Sequence, residues 1–175
     1  MRLIGVLLLT GLLASTSAWA GKPWVGFRVA QVEPDFTWLD ESSTTGVGMV
    51  MGMWYPHWRI YGDLNLQSFD QADTRTIHVN QDFLWSLTER TQLFAGWHLG
   101  LADLELASAH GVRYYDSGPG GGVQAGLIYS VSNRWLIEVG ARYSRYDVSS
   151  DSAVAGQPID LEALTEVFLV LSYAH

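Results

Sequence analysis

The sequence lacks several features that would point to common classes of protein. None of its 175 residues is cysteine, which excludes a disulfide framework and a lipoprotein anchor. Basic residues are few, with 10 Lys and Arg against 18 Asp and Glu, so no basic patch exists to neutralise the phosphates of nucleic acid. Beyond residue 20 no transmembrane helix is predicted, because no uncharged run is longer than 17 residues and the run 42–58 contains three glycines and a proline.

The first twenty residues are typical of a secretory signal. Arg2 is followed by an uncharged apolar run, Leu3 to Leu13, and then by small residues that end in Ala18-Trp19-Ala20. The apolar run is too short to span ~30 Å of hydrocarbon as a helix, and the ending fits a cleavage site. We predict a signal peptide over 1–20, cleaved after Ala20, and a folded domain over 21–175.

Period-2 alternation of apolar and polar residues dominates the remaining chain and predicts β-strands. Short connections are predicted at 56–57, 88–91 and 131–134, and long ones at 33–44, 68–75, 102–120 and 147–160. Short turns on one side and longer loops on the other are typical of outer-membrane barrels. We predict an all-β fold, a closed antiparallel up-and-down transmembrane β-barrel of about eight strands, near 24–32, 45–55, 58–67, 76–87, 92–101, 121–130, 135–144 and 166–173.

Charged side chains on these strands share one row, and the opposite row is apolar. A barrel in lipid requires an apolar outside, whereas a lipocalin-like carrier, the soluble alternative, would have its apolar row inside. We expect Asp63 to lie roughly opposite Asp82, with His98 near Asp82. The favoured interpretation is a polar network that plugs the lumen, and the rival interpretation is a gate that opens a narrow conductance. The predicted network comprises Arg28, Arg59, Asp63, His78, Asp82, His98, Glu138, Arg142 and Glu166.

Aromatic residues on the apolar row collect at the short-turn end of the strands. Trp and Tyr prefer the headgroup level of a membrane, with the ring body inward and the polar tip outward. We therefore predict a membrane-interface aromatic girdle formed by Tyr55, Trp58, Trp85, Tyr129, Trp135 and Tyr173.

Two stretches resemble known barrels. The ending VFLVLSYAH, residues 167–175, resembles the C-terminal insertion signal of outer-membrane barrels, although His175 stands where those usually end in Phe. WLIEVGARYSRY, residues 135–146, resembles the penultimate strand of small OmpA/OmpX-type eight-stranded barrels. The resemblance implies a Gram-negative outer membrane and recognition of the last strand by the barrel assembly machinery.

A catalytic role is the less favoured expectation. Small barrels that modify lipid A place Ser, His and an acid at the outer rim, and His110, Asp116, Ser117 and the pair Asp151-Ser152 supply those residue types. However, Ser144 lies where a Ser-His pair would be expected, without an adjacent His. We predict no enzyme activity, no cofactor, no catalytic residues and no metal site.

The predicted long loops are acidic, which suggests contact with lipopolysaccharide through bridging divalent cations, or with a basic partner. We predict a monomer in the cell outer membrane, with outer-membrane lipid and lipopolysaccharide as partners and a structural or surface-interaction role. The acidic residues of these loops are Glu33, Asp35, Asp40, Glu41, Asp70, Asp73, Asp103, Glu105, Asp116, Asp147, Asp151 and Asp160.

Overall fold

A computed structural model describes residues 21–37, 42–70, 72–107, 113–154 and 157–175. Each of the eight strands pairs antiparallel with its sequence neighbours, and β1 pairs with β8 to close a barrel, which confirms the predicted fold class. None of the described residues belongs to a helix long and apolar enough to cross a membrane. The strands are β1 Lys22–Phe36, β2 Thr44–Trp54, β3 Trp58–Ser68, β4 Ala72–Ser86, β5 Thr91–Ala107, β6 Arg113–Ser130, β7 Trp135–Val154 and β8 Gln157–Ala174.

The two rows of each strand face opposite environments. On β1, Val25, Phe27 and Val29 point outward and are between 38% and 53% exposed, whereas Arg28 between them is only 2% exposed. The same alternation runs through the described part of every strand. The outside of the barrel is therefore apolar, and the charges lie inside, as a sheet surrounded by lipid requires.

The strands extend much further than the hydrophobic pattern predicted, and the predicted long loops are wrong in extent. Only residues 108–112 separate β5 from β6, and only 155–156 separate β7 from β8. The hydrophobic pattern missed these extensions because the outward row turns polar there. Beyond its apolar residues, this row carries Arg75 on β4 and Asp103 on β5, which are direct register partners. Backbone pairing thus continues past the apolar region, but the alternation that reveals a strand in sequence stops there.

Apolar side chains flank the buried charges on two strands. On β7, apolar Leu136 lies near the short turn, Glu138 and Arg142 follow, and Val148 lies beyond them. The order of apolar, charged and apolar side chains also holds on β1, with Trp24, Arg28 and Val32. On β3 the inner row instead stays polar beyond Asp63, where Asn65 and Gln67 are buried.

Glycines on the inner row make room for large rings, as expected in a barrel this narrow. A Cβ at Gly126 would lie 2.2 Å from the carbonyl oxygen of Val139 and 2.7 Å from the Phe94 ring. A Cβ at Gly140 would lie 2.7 Å from Phe168 and 3.0 Å from Phe94. These two glycines thus accommodate the aromatic pair Phe94 and Phe168, whose ring centroids are 6.3 Å apart.

Candidate functional site

The structure places all nine residues of the predicted network inside the barrel, where none is more than 4% exposed. They come from six strands, β1, β3, β4, β5, β7 and β8. Charges buried to this degree must be paired or hydrogen-bonded. Their contacts therefore decide what the lumen can do.

The predicted register between β3 and β4 is wrong. Asp63 lies opposite His78, and the partner of Asp82 is Arg59. His98 is the register partner of Asn80 and is a diagonal neighbour of Asp82, whose own partner is Gly96. The prediction assumed that the β3–β4 hairpin is symmetric about a long loop, but β4 begins at Ala72, which shifts every pair.

Two ion pairs cross the lumen. Arg59 on β3 donates from Nη1 to Glu138 Oε1 on β7 at 2.8 Å. Arg142 on β7 donates from Nη2 to Asp63 Oδ2 on β3 at 2.7 Å. In a closed barrel of eight sequentially ordered strands, β3 and β7 lie on opposite walls. Both pairs therefore span the interior and connect one wall to the other.

Neutral side chains join these pairs into one network. Asp82 accepts from Arg59 Nε at 2.8 Å and from Gln124 Nε2 at 2.7 Å. Gln124 Oε1 in turn accepts from Arg142 Nε at 2.9 Å. Arg142 also donates to Asn80 Oδ1 at 2.9 Å. An unbroken path thus runs from Glu138 through Arg59, Asp82, Gln124 and Arg142 to Asp63.

Asp63 is the most heavily bonded carboxylate in the described lumen. Its Oδ1 contacts Asn65 Nδ2 at 2.7 Å and His78 Nδ1 at 2.8 Å. Its Oδ2 accepts from Asn80 Nδ2 at 2.8 Å, in addition to Arg142. Four partners on two oxygens fix this carboxylate in one orientation, which is how a buried charge is stabilised.

Sequence reasoning missed the neutral members of the network. The prediction selected residues by their charge alone. The neutral members are instead recognised as polar side chains on the inner row that lie next to an ionised side chain. The alternation of the sequence already places each of these neutral residues on the inner row of its strand. They are Tyr61, Asn65, Asn80, Gln124, Ser144 and Tyr146.

A further ion pair joins β1 to its neighbour β8. Arg28 donates from Nη2 to Glu166 Oε2, and its guanidinium lies over the Phe168 ring, 4.0 Å from the centroid. Arg28 Nε and Glu166 Oε1 have no protein partner. This pair is therefore less completely satisfied than the pair formed by Asp63 and Arg142.

A histidine and a serine do meet in this barrel, but inside it. His98 Nε2 lies 2.9 Å from Ser144 Oγ, a pair that adjacency in sequence did not reveal. Both residues are fully buried, and His98 Nδ1 has no acidic partner to orient the ring. A nucleophile needs both an oriented base and access to substrate, so this pair lacks what acyl transfer requires.

Of the other candidates for rim chemistry, the structure describes Asp116 and Ser117, but not His110 or the side chains of Asp151 and Ser152. Asp116 and Ser117 line an outward-facing cleft of about 380 Å³, together with Arg75, Asp103 and Glu105. Glu105 lies 3.5 Å from Arg75 and accepts from the Tyr115 hydroxyl at 3.2 Å. His110, like residues 1–20, Asp40 and Glu41, lies outside the described residues. In the described ranges, no three His, Asp or Glu side chains are grouped to hold a metal ion.

The six residues of the predicted girdle all lie at the short-turn end of the barrel. Tyr55 stacks on Trp58 across the first turn, with centroids 4.1 Å apart and planes inclined by 15°. Trp135 meets Tyr173 edge to face at 5.3 Å. Trp85 and Tyr129, each next to last in its strand, are 49% and 45% exposed. One end of the outer surface is thus ringed by aromatic side chains.

Comparison with known proteins gives structural relatives only. No protein-family model matches the sequence, and no curated protein matches it significantly. Among solved structures, Neisserial surface protein A (NspA) is similar with a TM-score of 0.73 and 14% identity, over 86% of this chain and 96% of that one.

Two further structures are similar at comparable coverage. Outer membrane protein H (OprH) from P. aeruginosa has a TM-score of 0.62 and 22% identity, over 88% of this chain and 99% of its own. Ail, the attachment invasion locus protein of Yersinia pestis, has a TM-score of 0.56 and 15% identity, over 89% and 97%. The chain therefore has the fold of the small eight-stranded outer-membrane β-barrels.

Proposed function

We propose that this protein is a non-enzymatic outer-membrane barrel with a closed lumen, which acts through the surface that it presents outside the membrane. The observation that carries the proposal is the pair of ion pairs, Arg59 with Glu138 and Arg142 with Asp63, that join opposite walls of the lumen. A lumen cross-braced in this way and filled by buried side chains offers no continuous path for water. The barrel is then an anchor, and its exposed strand ends carry the function.

Location in the outer membrane is supported by the apolar outward rows and by the likeness to barrels from that membrane. We infer that residues 1–20 direct export and are removed after Ala20. We also infer that β8, which ends in Tyr173-Ala174, is recognised by the barrel assembly machinery. Sequencing the N-terminus of protein recovered from outer membranes tests the first inference, because a start other than Gly21 would contradict it.

The outer strand ends present an acidic surface. Exposed carboxylates include Glu33, Asp35, Asp103 and Asp147, and among the described side chains in this region Arg75 and Arg145 are exposed cations. Such a surface attracts basic partners, or lipopolysaccharide phosphates bridged by divalent cations. Ail has been solved with the heparin analogue sucrose octasulfate, a polyanion, and the charge here is of the wrong sign for that ligand.

Two measurements test the proposal. Purified protein that migrates as a compact band until it is boiled should give no conductance steps in planar bilayers, and regular steps would show a pore instead.

Cells that express Glu33→Gln, Asp35→Asn and Asp103→Asn together should bind less fluorescent polylysine than wild type. Glu89→Gln, in a turn at the opposite end, should bind as much polylysine as wild type. Equal binding of polylysine by wild type, the triple variant and Glu89→Gln would contradict a surface role.

A small gated channel is the second candidate, and one observation favours it. Arg28 Nε, Glu166 Oε1 and His98 Nδ1 are buried without protein partners, so the lumen has bonding capacity left for a rearranged network. If re-pairing opens a path, Arg142→Ala should change the conductance. Traces identical to wild type from a folded Arg142→Ala protein would eliminate the channel.

A further inference from the structure

One polar side chain lies at the centre of the lipid-facing surface. Gln81 points outward from β4, between Ile77 and Val79 on one side and Phe83 and Trp85 on the other. These four neighbours are between 46% and 54% exposed, so they mark the apolar belt on both sides of Gln81. The ends of this run are roughly 27 Å of strand apart, and Gln81 stands at the midpoint. The amide is therefore placed where the membrane is least polar.

The nearest outward neighbour on β5 is also unusual for its depth. Trp97 is the direct register partner of Gln81 and lies at the centre of the apolar run from Leu93 to Leu101. Tryptophan prefers the headgroup level, where the other outward-facing tryptophans among the described residues lie. No hydrogen bond joins the Gln81 amide or the Trp97 indole N–H to any residue that the structure describes. Two polar groups thus lie side by side in hydrocarbon without partners.

Small side chains lie beside this pair, so another protein can approach the barrel surface closely there. Gly62 lies diagonally across from Gln81 on β3, and a Cβ there would meet only one atom within 4 Å, the His78 carbonyl oxygen at 3.7 Å. Ala95 lies on the other diagonal, on β5, opposite Phe83. Small residues let backbones approach closely within a membrane, where polar side chains bond across the interface. We call Ile60, Gly62, Gln81, Ala95 and Trp97 the midplane patch.

We propose that the midplane patch is where a second copy of this chain docks, with the two Gln81 amides hydrogen-bonded to each other. Insertion fixes the depth and the direction of every copy. A twofold axis along the membrane normal therefore brings two identical patches together at the same depth. Each amide carries a donor and an acceptor, so a pair of them is self-complementary, and the adjoining Trp97 rings cover the contact.

This inference depends on the membrane location proposed above, and it replaces the expectation of a monomer. That expectation rested on the general pattern of a small barrel. A monomer would leave the Gln81 amide and the Trp97 indole N–H in lipid, where unsatisfied polar groups are disfavoured. Dimerisation leaves the lumen network untouched, since the patch lies on the outside of β3, β4 and β5.

The absence of cysteine allows a direct test by disulfide cross-linking in native membranes. Val79→Cys places a thiol on the outward row next to Gln81, and Leu169→Cys places one at similar exposure on β8, the wall opposite β4. On mild oxidation Val79→Cys should form a disulfide-linked dimer, and Leu169→Cys should stay monomeric. If Val79→Cys does not fold, Ile77→Cys replaces it.

A second variant tests the role of the amide. Gln81→Leu in the Val79→Cys background should lose most of the cross-linked dimer, and in purified protein it should weaken self-association about tenfold, the effect of two membrane-buried hydrogen bonds. Equal cross-linking from both walls, none from either, or a disulfide to a different protein would overturn the proposal. Cross-linking that Gln81→Leu leaves unchanged would also overturn it. In every variant, the compact unboiled band reports membrane insertion separately, so failure of the dimer is distinguishable from failure of the barrel.

Discussion

Arg142 on β7 reaches across the barrel to Asp63 on β3, and its Nη2 lies 2.7 Å from the carboxylate Oδ2. The two residues are 79 positions apart in sequence and stand on opposite walls. Neighbouring strands of a barrel are held by backbone hydrogen bonds, but opposite walls have only side chains to join them. This contact therefore stabilises the lumen in a direction that the sheet itself does not.

Arg142→Ala should strongly destabilise the barrel. The change leaves Asp63 ionised and buried without its cation, which costs about 3–5 kcal/mol when one partner of a buried pair is removed. Urea unfolding in lipid vesicles measures the loss. Arg145→Ala removes an exposed arginine three residues away on the same strand and should change stability by less than about 0.5 kcal/mol. Equal losses for the two variants would contradict the cross-lumen role.

Replacing both members of that pair should be less harmful than replacing one. In Asp63→Asn with Arg142→Met, no unpaired charge is left inside, and the volume is nearly kept. We expect the double variant to recover at least about half of the stability that Arg142→Ala loses. A double variant as unstable as the single one would show that packing, and not charge, fixes these side chains.

Gly126→Ala should impair folding, and Gly62→Ala should not. The new methyl group at Gly126 would lie 2.2 Å from the Val139 carbonyl oxygen, whereas at Gly62 it would point into open space. Overpacking of this kind costs about 1–3 kcal/mol. The fraction of compact unboiled protein compares the two variants, and equal fractions would count against the steric explanation.

Leu169→Arg should hinder insertion far more than Leu87→Arg. Both leucines are at least half exposed, but Leu169 lies within the apolar belt, and Leu87 lies in the turn after β4. An arginine facing lipid costs about 2–4 kcal/mol at the midplane and 0–1 near the interface. Refolding yields into vesicles report the difference. If the two variants refold equally well, the outer face does not meet hydrocarbon.

His175→Phe should speed assembly in cells. The residue follows β8, and Phe at this position would restore the pattern that the resemblance to outer-membrane barrels implies. Pulse-chase labelling that follows the compact band measures the rate, with His175→Ala as the control. A rate unchanged by either substitution would show that recognition does not use residue 175.

The alternation along the chain was enough to predict the strand number, the closed barrel and the side on which each charge lies. A period of two fixes the face of every residue whichever partner it finds, so Arg28 and Glu166 were assigned to the lumen from sequence. The outer halves of the strands were missed at Arg75 and Asp103, because apolar residues no longer mark the outward row there.

Parity along a strand can be read from the sequence, and it alone fixes which residues face lipid and which face the lumen. The contacts between side chains follow from how the strands pair and close. Asp63 belongs with His78 and Arg142, and Asp82 belongs with Arg59, because register and barrel closure set these contacts between distant strands. The alternation along β4 shows Gln81 as a polar residue between apolar neighbours on the outward row. Its place beside Trp97 at the centre of the outer face became evident only when β4 and β5 were paired, since pairing fixes which outward residues are neighbours.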